Sequence, residues 1–148
     1  MKILEFNEQG NLIQGMHELE WEEFVKCFGN NHRRKGMIIG LRRGLNLLKK
    51  AGCKKVYIDG SFVTTKPNPG DFDICWDEEG VDKKELKKIE PLFFVFVNKR
   101  KAQKSKFMGE FFPASLKEGK KCFVDFFQTD KYTGEPKGIV VVDLRRLS

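Results

Sequence analysis

The chain has 148 residues, enough for one domain with its own core and no need of disulfides. A 40% hydrophobic content excludes a disordered chain. The longest uninterrupted apolar run, "LFFVFV", has six residues and excludes a membrane-spanning helix within this sequence. The net charge of +7 is unevenly spread: from Phe24 to Ile58 there are ten Lys/Arg and no Asp or Glu, and a second basic stretch runs from Lys99 to Lys121. That asymmetry points to an anionic partner such as a nucleotide, RNA or DNA.

In chain order, "MKILEFNEQGNLIQG" reads as two short strands around a turn at Gln9-Gly10-Asn11. Trp21, Phe24, Val25 and Phe28 predict a short helix over 20–28. Residues 33–51 predict a longer one, with Ile38, Leu41, Leu45 and Leu48 as its apolar stripe and the basic residues off it. Gly36, Gly40 and Gly44 recur along this helix at about 1 kcal/mol each relative to Ala, a cost that close approach of another backbone or a ligand would explain.

"KKVYIDGS" is a strand ending at Gly60-Ser61, and "DFDICW" is a second strand after a Pro/Gly turn. Residues 82–90 form a short charged helix, "LFFVFV" is strand or buried helix, and 98–108 is a basic helix. "KCFVDFFQ" and "IVVVDL" are the last strands. The mixture is an α/β or α+β domain over 1–148: a small mixed sheet with helices on one side. Cys27, Cys53, Cys75 and Cys122 form no C-x-x-C pair and sit in apolar surroundings, so they read as buried reduced thiols of a cytoplasmic protein rather than zinc ligands. The apolar run at the N-terminus is too short for a signal peptide.

The chemistry concentrates in "YIDGSFVTTKPNPGDFDICW". Side chains alternate along a strand, so Asp71 and Asp73 share one face while Phe72, Ile74 and Trp76 anchor the other. Aspartate is depleted from strand interiors, and two adjacent buried carboxylates repel. A divalent cation removes both objections, with Mg²⁺ taking carboxylates together with substrate phosphates. Asp125, central in "CFVDFFQ", supplies a third acid if its strand lies beside "DFDICW". Three such acids would hold two ions about 3.5–4 Å apart, a clamp for phosphoryl transfer. Gly60 lets a backbone approach a phosphate, Ser61 offers a hydroxyl, and Lys66 sits in the turn between.

The ordered set of strand, Gly60-Ser61, nine residues, Asp71-x-Asp73 and a later strand with Asp125 resembles the nucleotidyltransferase superfamily typified by DNA polymerase beta, in its minimal form. More narrowly, from about Phe6 to Leu144 the chain resembles short, poorly characterised bacterial proteins with "DGSFVT…PGD-D" and "FFQTD…TGEPKGI". The resemblance implies a nucleotidyltransferase-like fold, a cofactor of two Mg²⁺ ions, and transfer of a nucleoside monophosphate from an NTP to an acceptor hydroxyl. Asp71, Asp73 and Asp125 would be the catalytic and metal-binding acids. Gly60, Ser61, Lys66, Lys104 and Lys137 would contact the nucleotide. The spacing departs slightly from the superfamily's, and Thr64-Thr65-Lys66 stands where its Arg-Gly is expected.

The basic stretches suit an RNA acceptor, a tRNA end first, with Arg33, Arg34, Arg42 and Arg43 as RNA contacts. The resemblance also implies a toxin–antitoxin or defence setting with a cognate antitoxin. Two rival readings stand beside this one. The acceptor is a partner protein that receives AMP, or the fold is a degenerate module that binds nucleic acid or protein.

Overall fold

A computed structural model describes residues 4–115, 117–118, 121–122, 128–130 and 133–147. The elements are β1 (Met16–Glu18), α1 (Trp21–Phe28), α2 (His32–Lys50), β2 (Lys55–Asp59), β3 (Asp73–Trp76), α3 (Lys83–Ile89), α4 (Val97–Phe107), β4 (Glu110–Pro113), β5 (Lys117–Glu118), β6 (Lys121–Cys122) and β7 (Ile139–Asp143). The expected α+β fold is present, as a five-stranded mixed sheet of order β1-β7-β2-β3-β4 and a small β5–β6 hairpin. Strands β2 and β3, and β2 and β7, pair antiparallel, whereas β3–β4 and β1–β7 are parallel.

Period-two patterning decides which face carries the core. Val56, Ile58, Ile74, Trp76, Phe111, Val140 and Val142 point to one face and join a single buried cluster with Phe24 and Phe28 of α1, Leu41, Leu45 and Leu48 of α2, Leu86 of α3 and Phe107 of α4. The opposite face receives Asp59, Asp73 and Glu110. Local signals set the helix starts. Glu20 and Glu23 form a capping box for α1, Asn31 accepts the Arg34 amide at 2.8 Å for α2, and Asp82 accepts the Glu85 amide at 3.0 Å for α3.

The glycines of α2 divide by position. A Cβ on Gly40 would stand 2.1 Å from the Phe107 carbonyl oxygen, and one on Gly44 would stand 2.3 Å from the Phe111 ring. The close approach expected from the sequence is therefore to α4 and β4. Gly36 has nothing within 4 Å.

Other details differ from expectation. Of the expected N-terminal hairpin the described residues show an isolated bridge between Phe6 and Leu12, and the ambiguous apolar run opens with a 3-10 turn, Pro91–Phe94. Pro91 sets the first turn, and the run is too short to continue as a helix. Strands β1, "MHE", and β4, "EFFP", went unread because neither shows polar–apolar alternation. Among the described residues no helix is long and apolar enough to cross a membrane.

Candidate active site

The end of β2 builds the first wall. Gly60 has φ of 89°, a region open to glycine, and a Cβ there would meet Asp73 Oδ2 at 2.7 Å. A 3-10 turn, Ser61–Val63, follows, and the Thr64 hydroxyl donates to the Ser61 carbonyl at 2.6 Å. Among the described residues Ser61 Oγ makes a long, 3.4 Å contact to the Asp71 carbonyl, which leaves room for a ligand at the hydroxyl.

Arg34 holds this turn in place. Its guanidinium donates to the carbonyls of Phe28 (3.2 Å), Phe62 (2.6 Å), Thr64 (2.8 Å) and Lys66 (2.6 Å). Four of its five N–H donors are thereby used on backbone. Arg34, expected off the apolar stripe as an RNA contact, is instead buried, at 2% exposure. A buried cation can be kept where carbonyl oxygens replace its hydration. Arg33 ties down the same loop through Pro69 (3.3 Å) and Gly70 (3.1 Å). Arg42 lies over the Trp21 ring at 5.5 Å, and Arg43 is exposed on the helix surface.

Sheet register lines up the acids. Asp59 pairs with Asp73, and Asp73 pairs with Glu110, so three adjacent strands carry a row of three carboxyl groups on one face. Asp71, just before β3, stands close enough to act on the Asp73 charge. Both edges of β3 are filled, by β2 and β4. Strand β4 places Glu110 beside Asp73; the acid-bearing strand expected there is the one around Asp125. Asp125 lies outside the described residues.

These charges are unevenly compensated. Burial, then a hydrogen bond with Glu110 and repulsion from Asp71, Glu110 and Asp59, raise the Asp73 pKa well above the ordinary aspartate range. Burial acts on Glu110 in the same sense, but the hydrogen bond from Asp73 and the charges of Arg100 and Lys104 outweigh it and hold the group low. The two carboxyl groups are hydrogen-bonded to each other and titrate as a pair, with Asp73 shifted up and Glu110 down.

At the other end of the row Asp59 is 2% exposed. Neither of its oxygens has a well-formed hydrogen bond from a described side chain; the Lys137 ammonium stands at 3.5 Å. Burial pushes Asp59 up to about 7, with Lys137 and the Gly60 amide pulling the other way.

Arg100 Nε donates to Glu110 at 2.8 Å, and its guanidinium lies 4.9 Å from the Phe112 ring centre. Lys104 stands 3.4 Å from Glu110 and 3.8 Å from Asp71. Arg100 reaches Glu110 through an uncommon backbone. Asn98, Lys99 and Arg100 have φ of 53°, 53° and 61°, one left-handed turn at the start of α4. Such a conformation costs about 1–2 kcal/mol per residue for side chains other than glycine, with Asn the most tolerant.

Gly60, Ser61, Lys66, Asp71, Asp73 and Lys137 line one open cleft of about 920 Å³, together with Asp59, Glu110, Arg100 and Phe112. Lys104 stands beside it through its ion pairs. Sequence reasoning missed Asp59, Glu110 and Arg100. Two signals were present: an aspartate inside the apolar run "VYID", and a glutamate opening the apolar pair Phe111-Phe112. Arg100 had none, because its place depends on the left-handed turn.

The donor set fits a hard cation. Among the described residues the cleft offers carboxylate oxygens and no Cys or His, and the buried Asp59 oxygens have no well-formed side-chain hydrogen bond. Among the described residues, no three of these side chains converge on one metal position. No curated protein and no solved structure matches the chain. Residues 4–143, nearly its whole length, match one family model, and the chain belongs to that family of unknown function, DUF6932.

Proposed function

We propose that the chain is a Mg²⁺-dependent nucleotidyltransferase that moves a nucleoside monophosphate from an NTP to an acceptor hydroxyl. The observation that carries this reading is the cleft in which Asp71, Asp73 and Glu110 stand beside the Gly60-Ser61 turn. Like-charged acids in neighbouring strands destabilise a sheet unless something else uses them. A bound Mg²⁺ would supply positive charge at the phosphate as its negative charge develops. Asp71, Asp73 and Glu110 would hold it, with Asp125 as the further acid expected from the sequence.

The chain's own groups support the rest of the transfer. The acceptor oxygen bonds to the α-phosphorus, the bond to the β-phosphate oxygen breaks, and pyrophosphate leaves. The proton of the acceptor hydroxyl passes to water in the open cleft. Ser61 Oγ, Lys66 and Lys137 bind the departing phosphates, and Arg34 positions the turn through backbone carbonyls. RNA is the acceptor this reading places first, because of the acid-free basic stretch over 24–58.

The test incubates the purified chain and Mg²⁺ with α-labelled NTPs, adding total RNA in one arm and cell-lysate protein in another. Label should enter RNA, and Asp73→Asn should lower incorporation at least 100-fold with the fold intact by circular dichroism. Label in protein alone would move the acceptor to a polypeptide. Undiminished turnover in Asp73→Asn would remove the metal assignment.

A further inference from the structure

The left-handed turn at the start of α4 lacks a local explanation. Asn98 and Lys99 are exposed, as is Val97 before them at 69%. Nothing about their own burial favours the conformation. Its consequence lies one residue on, where Arg100 is delivered to Glu110 at 2.8 Å and onto Phe112. The right-handed part of the same helix brings Lys104 to Glu110 and Asp71. Two cations from one helix thus neutralise the acids that the proposed reading gives to Mg²⁺. Of the two, only Arg100 is held by an unfavourable backbone.

We propose that Arg100 is a built-in counter-cation that occupies the carboxylate row in the metal-free protein and leaves when a divalent cation enters. As it leaves, the turn over 98–100 rewinds to a right-handed extension of α4. The backbone cost of the seated form makes the exchange reversible: Glu110 and Phe112 favour the seat, and the strained turn favours release. Arg100 and the ion repel each other at Glu110, so the ion's apparent affinity depends on how firmly Arg100 is seated. This inference rests on the metal reading of the same acids.

Mn²⁺ binding, followed by the free-ion electron paramagnetic resonance signal, tests it in the full chain without any activity. Arg100→Met keeps a stem over Phe112 but removes the competing charge, and should tighten Mn²⁺ binding about tenfold. Lys99→Gly relieves the left-handed residue, holds Arg100 in its seat, and should weaken binding about fivefold. Electrostatics alone predicts the opposite for Lys99→Gly, because a positive charge is lost. Suppose wild type binds Mn²⁺ and Asp73→Asn abolishes it, yet Arg100→Met binds no tighter or Lys99→Gly binds no weaker. The displacement is then overturned while the metal site stands. If wild type, Arg100→Met and Lys99→Gly all lack Asp73-dependent binding, the metal site fails and the displacement fails with it.

Discussion

At Asp73 burial and charge act against the same group, and the consequence is measurable without any ligand. Its pKa stands well above the ordinary range through burial, the hydrogen bond with Glu110, and the charges of Asp71, Glu110 and Asp59. Arg100 and Lys104 face the pair from α4, and Lys137 faces Asp59. Between about pH 4 and the raised value, the folded chain keeps a proton that the unfolded chain has released. The stability tied to that proton is full below pH 4 and is lost as pH rises through the folded-state value. Asp59 adds a loss of the same sign that runs up to about pH 7. Asp73→Asn has no such proton to lose, and its amide can still donate to Glu110. In chelator-treated protein its melting temperature should match wild type near pH 4 and exceed it by about 3 °C or more at pH 8. Parallel melting curves across that range would show that the Asp73 carboxyl is ionised at little cost.

Among the elements, α2 shows how one residue type carries different loads along a single helix. Gly40 faces the Phe107 carbonyl and Gly44 the Phe111 ring, so both hold α2 at backbone distance from the α4–β4 unit that carries Lys104 and Glu110. A methyl group at Gly40 would need a backbone to move. Gly40→Ala should therefore lower the unfolding free energy by about 1–3 kcal/mol, read from urea denaturation. Gly36 has open space, so Gly36→Ala should raise it by about 1 kcal/mol through helix propensity. A Gly40→Ala protein as stable as wild type would mean that α2 and α4 can separate without loss.

For the whole molecule, charge is the property to test. Arg43 is exposed on α2, whereas Arg34 is used up inside and Arg42 rests on Trp21. If the basic surface tracks an RNA strand, the logarithm of affinity should fall linearly with the logarithm of salt concentration. Arg43→Ala should then flatten the slope by about 0.7, measured by fluorescence anisotropy with a tRNA. A wild-type response that is flat and weak across the salt series would favour a protein acceptor.

The sequence by itself determined the pieces that local physics controls. Period-two alternation sorted Phe72, Ile74 and Trp76 to the core and Asp73 to the cleft, helical spacing marked α1 and α2, and the Gly60-Ser61 turn announced itself beside the acids. What it could not determine was which strands become neighbours. The register that sets Glu110 beside Asp73 joins residues 37 positions apart and leaves no local trace, and β4, with Phe111 and Phe112 adjacent, shows no alternation. The burial of Arg34 was equally hidden, because its four acceptors are backbone carbonyls spread from Phe28 to Lys66 and converge only on folding. Arg100 needed tertiary structure most of all. Glu110 and Phe112, brought up by the sheet, offset a left-handed turn that the local sequence disfavours.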